Sequence, residues 1–389
     1  MPRASFTQVS KPSDTFDRAN PEHARQTRSA RRHPGTRYVV GCMAGTSIDV
    51  LDEALVAIDG TGMEMRLELL GQVTWPLGAV AEPLRRLANQ EPMSARDIAT
   101  LARDFAILHG DAIEELKGRS ELSLIAVHGQ TVFHAPPVSW QLFNPAPLAA
   151  RFRVPVVCDL RAADLAAGGE GAPITPLADY LIFRHPRERR TIVNLGGFCN
   201  ITRLPAGEGL SGLTGADICA CNQVLDAIAR RVLDCAYDRD GQRALAGTAK
   251  TRPAAALATM LEGQAKAKRS LGTGDELGAW IGQHQVLSPE DLARTACAAI
   301  AQVIVRHIGP SDRIILAGGG IKNRALLTEL KNQTRIPMIQ SDEANVPASL
   351  REAMAIAVLG ALCQDRVPIT VPRITGVERA PVSGMWVLP

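Results

Sequence analysis

Residues 41–52 read GCMAGTSIDVLD, a turn of small residues that carries two hydroxyls and then two carboxylates. Gly45 beside Thr46 and Ser47 lets backbone N–H groups and side-chain oxygens come close to a polyphosphate. Asp49 and Asp52 follow at once, in a position where a carboxylate holds Mg²⁺ through its water shell. The stretch Gly45, Thr46, Ser47, Ile48, Asp49, Val50, Leu51 and Asp52 is therefore a candidate polyphosphate cradle, with Asp49 as the candidate Mg²⁺ residue. A plain β-hairpin with a polar turn produces the same string, so the remaining segments decide between the two.

The elements that must position this turn alternate between strand-like and helix-like, which predicts an α/β architecture. Apolar runs at 38–43 and 54–58 flank the turn as two strands. Residues 191–194 and 201–204 repeat that plan around Gly196 and Gly197, which suggests duplicated halves facing each other across a cleft. The spacing predicts a helix over 93–118 with Ser94 as its N-cap, and another over 288–308 started by Ser288 and Pro289. A strand at 313–317 runs into Gly318, Gly319 and Gly320 and then a helix from Asn323, a setting in which backbone approaches a nucleotide. Residues 349–362 form a helix that is apolar all round except for Arg351 and Glu352 at its start.

Length and composition set the outer limits. A chain of 389 residues accommodates two domains. Residues 1–37 carry eight Lys/Arg and three Asp/Glu, and this Ser-, Thr-, Pro- and Arg-rich segment reads as a disordered extension or an upstream start. The remainder has a net charge of −2, which lacks the basic excess of a nucleic-acid binder. No apolar stretch reaches membrane-spanning length. The eight cysteines contain no Cys-x-x-Cys pair and sit mostly in apolar runs, as expected for a reducing cytoplasm.

Seven blocks in order resemble the anhydro-N-acetylmuramic acid kinase family. They are GCMAGTSIDVLDEAL (41–55), HGQTVFHAP (128–136), NPAPLAARFRVPVVCDLRAADLAAGGEGAP (144–173), NLGGFCNIT (194–202), YDRDG (237–241), AGGGIKNRALL (317–327) and LREAMAIAVLGA (350–361). The resemblance covers about 38–389. It implies a two-lobed actin/hexokinase-like (ribonuclease H-like) fold, with an N-terminal lobe over 38–190 and a C-terminal lobe over 191–389. It implies that 1,6-anhydro-N-acetylmuramic acid, ATP and water give N-acetylmuramic acid 6-phosphate in cell-wall recycling, with Mg²⁺ as cofactor and a homodimer as a family-level expectation. It places the catalytic base at Asp217 and puts Glu352 near the sugar. Gly196, Gly197, Gly318, Gly319, Gly320 and Asn323 would complete the ATP site. His128, Gln130, Arg161 and Asp164 are the expected sugar-pocket residues, with Arg161 suited to a carboxylate of the substrate. An Arg161–Asp164 pair at a helix start, and a satisfied loop histidine at 128, are the structural alternatives.

The chain departs from the family pattern at four places, one of them a Lys-Ser-Thr-Gly-Arg-Glu pattern that reads Lys268-Arg269-Ser270-Leu271-Gly272-Thr273-Gly274-Asp275-Glu276 here. Ala44 replaces a serine, removing a hydroxyl contact worth about 1 kcal/mol. Val50 replaces a glycine, and a left-handed backbone there would be strained. Asp-Thr-Gly-Pro-Gly-Asn becomes Asp217-Ile218-Cys219-Ala220-Cys221-Asn222, without its glycines. The alternatives to an active kinase are thus a nucleotide- or sugar-binding protein of the same fold with weak or lost turnover, and a kinase for another sugar.

Overall fold

The computed structural model describes residues 35–45, 47–118, 120–266 and 276–389. Two strands flank the first turn: β1 (Arg37–Ala44) and β2 (Val50–Asp59) pair antiparallel, with Cys42 opposite Glu53 and Ala44 opposite Leu51. β2 then pairs with β3 (Arg66–Pro76). On the other side β1 takes β4 (Leu124–Val127) in parallel. A separate hairpin of β5 (Gln130–Ala135) and β6 (Val138–Leu142) follows, and β7 (Val156–Cys158) lies parallel to β4.

The second sheet repeats the plan. β8 (Arg190–Leu195), β9 (Phe198–Leu204) and β10 (Thr214–Ala220) are antiparallel neighbours. β11 (Arg313–Ala317) lies parallel beside β8, and β12 (Met338–Gln340) lies parallel beside β11. Each sheet therefore places three antiparallel strands next to two parallel ones that extend from the first strand. That order is the ribonuclease H-like plan, and its duplication makes the protein a two-lobed actin/hexokinase-like α/β fold.

The expected lobe boundary needs a correction at the C-terminal end. β13 (Met385–Val387) pairs antiparallel with β7, so the chain returns to the first sheet rather than finishing in the second lobe. The helix Arg351–Gln364 makes the same return, packing against β1, β2 and β4. All its residues are buried except Glu352 and Gln364, which is why its sequence has no polar face. Small residues allow the close approach. A Cβ on Gly41 would sit 2.0 Å from Ala353 O, and one on Gly360 would sit 2.4 Å from Ala126 Cβ.

The other helix at the lobe junction is Pro176–Phe183, which packs on β9 as well as on the Arg351–Gln364 helix. Asp179 and Arg351 join the two helices at 0% and 1% exposure. Arg351 Nε donates to Asp179 Oδ1 at 2.8 Å, and Nη2 donates to Oδ2 and, at 3.2 Å, to Thr175 Oγ1. Thr202 Oγ1 on β9 donates to Asp179 Oδ2 at 2.6 Å. Removing one member leaves a desolvated charge unpaired. Asp179→Ala is therefore expected to lower unfolding free energy by about 3–5 kcal/mol in urea titrations, whereas a loss under about 1 kcal/mol contradicts this role.

Candidate active site

The first turn is built tightly. Ile48 N donates to Gly45 O at 3.2 Å, and Ile48 takes a left-handed φ of 50° with its side chain in the core. Arg85 Nη2 on a neighbouring helix donates to Ile48 O at 2.6 Å, fixing that conformation from outside the turn. The strain expected at Val50 thus falls on Ile48. Val50 is the first residue of β2 and is extended, so the valine is tolerated there. Ser47 Oγ donates to Asp49 Oδ1 at 2.5 Å, and Val50 N donates to the same oxygen at 3.0 Å. Leu51 is fully buried, which leaves Ser47, Asp49 and Asp52 as the accessible polar side chains of the described part of the turn. Thr46 lies outside the described residues.

Asp52 accepts a 2.6 Å hydrogen bond from Thr74 Oγ1 on β3. Burial pushes its carboxyl up to about 6, and the negative fields of Glu352, Asp49 and Glu53 push the same way. The first turn and the start of the Arg351–Gln364 helix therefore face each other as mutually repelling carboxylates.

Beside them lies a small cavity of ≈ 100 Å³, below the range of about 300–1,000 Å³ usual for small-molecule sites. Its walls include His128, Arg161, Asp217 and Glu352, with Met43, Thr175 and Asn200 among the rest. Four expected site residues from widely separated segments thus meet in one cavity.

His128 Nδ1 donates to Gly129 O at 2.9 Å, and this bond assigns the tautomer that leaves Nε2 as an acceptor. Arg161 donates to that nitrogen from Nε at 3.3 Å and from Nη2 at 3.0 Å, while its Nη1 donates to Gly171 O at 2.8 Å. Burial and the adjacent Arg161 charge push His128 down to about 3, so it stays neutral at physiological pH. His128 positions the guanidinium, and Arg161 bonds to His128 and Gly171 rather than making the local pair with Asp164 considered from the sequence. Burial also works against the Arg161 charge, opposed by the fields of Asp217, Glu352 and Asp159.

Asp217 sits on β10 opposite Asn200 of β9, where the register shifts between Asp217 and Cys219. Surrounding protein desolvates its carboxyl and raises its pKa, and Arg161 lowers it by a smaller amount. Glu352 occupies the first turn of its helix, where the dipole favours a carboxylate, and accepts a 3.2 Å hydrogen bond from Asn194 Nδ2.

Other expected residues lie elsewhere. Asp164 is fully buried; its oxygens accept from Gly171 N at 2.8 Å and Thr375 Oγ1 at 2.9 Å, so it shapes the loop that Arg161 grips and has no face on the cavity. Gln130 is 2% exposed at the start of β5 and outside the cavity wall. Asn323 Oδ1 accepts from Leu326 N at 3.0 Å as the N-cap of the helix Arg324–Gln333. Of the three consecutive glycines, Gly318 (φ 83°) and Gly320 press on Asn194 and Leu195, and Gly319 faces open space.

In the segment Asp217–Asn222, which lacks the family's glycines, Ile218, Cys219 and Ala220 are strand residues buried in the second lobe's core. Past them, Cys221 N and Gln223 N donate to Gly197 O, and Asn222 N donates to Gly196 O, at 2.8, 3.3 and 3.1 Å. The residues missed from sequence are Asn194, Thr74 and Asn200. Asn194 and Asn200 lie inside the NLGGFCNIT block, but each reads as an ordinary polar position of a half-buried strand.

The pH sign for Asp52 follows from its direction. Its carboxyl is raised from 3.8 to about 6, so its contribution to stability is present below about pH 4 and lost as pH rises to about 6. Without divalent cations, Asp52→Asn should gain melting temperature relative to wild type as pH rises from 4 to 7. A constant difference across that range would contradict the repulsion.

Comparison with known proteins bears on the family of the whole chain. The family model for anhydro-N-acetylmuramic acid kinase matches residues 37–388. The anhydro-N-acetylmuramic acid kinase of Salinibacter ruber is 34% identical, over 90% of this chain and 96% of its own length. That of Cyanothece sp. is 33% identical, over 89% and 98%. Among solved structures, component A of (R)-2-hydroxyglutaryl-CoA dehydratase from Acidaminococcus fermentans aligns over 84% of this chain and 98% of its own, at 12% identity and a TM-score of 0.43. The extent of the family match and the identity to its members establish that this chain belongs to the anhydro-N-acetylmuramic acid kinase family, a family of sugar kinases.

Proposed function

We propose that the protein transfers the γ-phosphoryl group of ATP to O6 of 1,6-anhydro-N-acetylmuramic acid while water attacks C1. The C1–O6 bond breaks, a C1–O bond to water forms, and the products are N-acetylmuramic acid 6-phosphate and ADP. The observation that carries this reading is the convergence of Asp217, Glu352, Arg161 and His128 on one cavity beside the first phosphate turn.

Asp217 takes the proton from the attacking water. A raised carboxyl pKa brings a general base closer to neutral pH, while the Arg161 charge works the other way and favours the ionised form. Glu352, held by Asn194, orients the sugar from the opposite lobe. Arg161, fixed by His128 and Gly171, turns its remaining N–H groups to the substrate carboxylate. Ser47 and the amides of the first turn hold the phosphates, and the Gly196–Gly197 and Gly318–Gly320 turns approach the nucleotide from the second lobe.

Mg²⁺ suits Asp49 and Asp52, because burial and, after it, the nearby carboxylates raise the Asp52 carboxyl, and a divalent cation offsets both. When bound, the ion neutralises charge on the phosphate oxygens during transfer. Use of ATP assigns the reaction to the cytoplasm. A second reading, binding with weak turnover, is favoured by the capture of the 221–223 amides by Gly196 and Gly197, which withholds them from phosphate.

Purified protein incubated with Mg-ATP, the anhydro sugar and ¹⁸O-water should release ADP and a 6-phosphate labelled at C1. Tight nucleotide binding without product would favour the second reading instead. Asp217→Asn should lower kcat by about 10²–10⁴-fold with little change in nucleotide affinity by calorimetry. The kcat/KM of the wild type should fall on the acid side with a midpoint above the ordinary 3.8 of an aspartate. Retained turnover in the variant removes Asp217 from the role.

A further inference from the structure

Strand alternation gives β1 and β2 two chemical faces. Met43 and Asp52 look towards the cleft, whereas Cys42 and Glu53, which are directly paired across the strands, belong to the opposite face. There they meet His109 of the helix Ala95–Lys117. All three are buried, at 0%, 0% and 1% exposure. One ligand-capable atom from each lies within 4.8 Å of the other two, the one such group among the described residues.

The surroundings are apolar. The His109 ring sits 4.6 Å from that of Phe105 and 5.5 Å from that of Phe143. Inside this pocket Glu53 Oε1 and His109 Nδ1 are 2.8 Å apart, but Glu53 Oε2 and His109 Nε2 have no hydrogen-bond partner. Two buried lone-pair-bearing atoms without partners in one three-residue cluster need an explanation, because native interiors rarely leave such groups unsatisfied.

We propose that Cys42, Glu53 and His109 form a structural site for a zinc-class divalent metal, separate from the cleft. The donor set decides the class. Thiolate with imidazole and carboxylate suits Zn²⁺, while Mg²⁺ and Ca²⁺ prefer all-oxygen sets. Charge also balances: a thiolate, a carboxylate and a neutral imidazole around a divalent ion sum to zero, which suits a dry interior. Zinc bond lengths place tetrahedral ligand atoms roughly 3.5 Å apart, so small side-chain rotations from the present spacing assemble the site. The cluster supplies three of the four ligands of a tetrahedral zinc ion. Three ligands from two strands and one helix staple the first phosphate turn to the body of the lobe. Catalysis as proposed does not pass through this metal.

The test uses the full chain. Protein grown with added zinc and purified without metal-affinity resin should carry one zinc per chain by elemental analysis, retained through desalting. After stripping with chelator, excess zinc should raise the melting midpoint by about 5–10 °C. Cobalt substituted for zinc should give a thiolate-to-cobalt charge-transfer band in the near ultraviolet. Cys42→Val and His109→Phe, checked for folding by circular dichroism, should lose the bound zinc and the zinc-dependent rise. Wild-type protein with no cobalt–thiolate band and no zinc-dependent shift overturns the proposal without recourse to any variant. Full zinc retention in both folded variants overturns it as well.

Discussion

The geometry of the cleft depends on one buried ion pair. Arg351 and Asp179 join the helix that lies on the first sheet to the helix that packs on the second, and Thr202 of β9 extends the link into the second sheet. A pair this deeply buried is not an economical source of stability, since apolar residues of similar volume often do as well. Its value is positional. The guanidinium demands two oxygens in one plane, so it fixes how the two helices meet and where Glu352, one residue further on, enters the cleft. The apolar residues around it come from both sheets, so the junction has a single packed core.

Charge in the cleft is arranged by contrast. On one side, burial raises the Asp52 carboxyl and the nearby charges of Glu352, Asp49 and Glu53 add to it. On the other, Arg161 is held by a histidine that cannot compete with it for protons, because burial and the guanidinium itself keep that ring neutral. A lysine or a charged histidine in the place of His128 would repel Arg161. The neutral acceptor lets a full positive charge be aimed without being cancelled. Asp217 lies within the field of that guanidinium, which links the Arg161 charge to the ionisation of the proposed base.

What the sequence disclosed was whatever local chemistry enforces. Ser94 and Ser288 mark helix starts because their hydroxyls accept from Asp97 N and Asp291 N, a requirement confined to four residues. The two strand–turn–strand units were visible from apolar runs broken by glycine. The helix at 351–364 was visible as apolar on all sides, but the identity of its neighbours was not, because no local signal distinguishes two covering layers. The same blindness misassigned the last segment, whose return to β7 is a matter of topology alone. Segment 217–222 reads as a loop, yet 217–220 are strand because β9 offers them an edge. Asp164 looked like a binding carboxylate because acidic residues in glycine-rich loops face two fates, and only the partners Gly171 and Thr375 show which one applies.

The close seating of the Arg351–Gln364 helix on Gly41 and Ala126 has a mechanical outcome. With its backbone pressed against β1, this helix is carried as cargo of the first lobe, and Glu352 with it. Asp217 is carried by the second. The two carboxylates therefore belong to elements seated on different sheets, and the hydrogen bond from Asn194 of β8 to Glu352 is what ties one of them across to the other side. The spacing of the two acidic groups is thus a property of how the sheets are joined, not of either sheet alone.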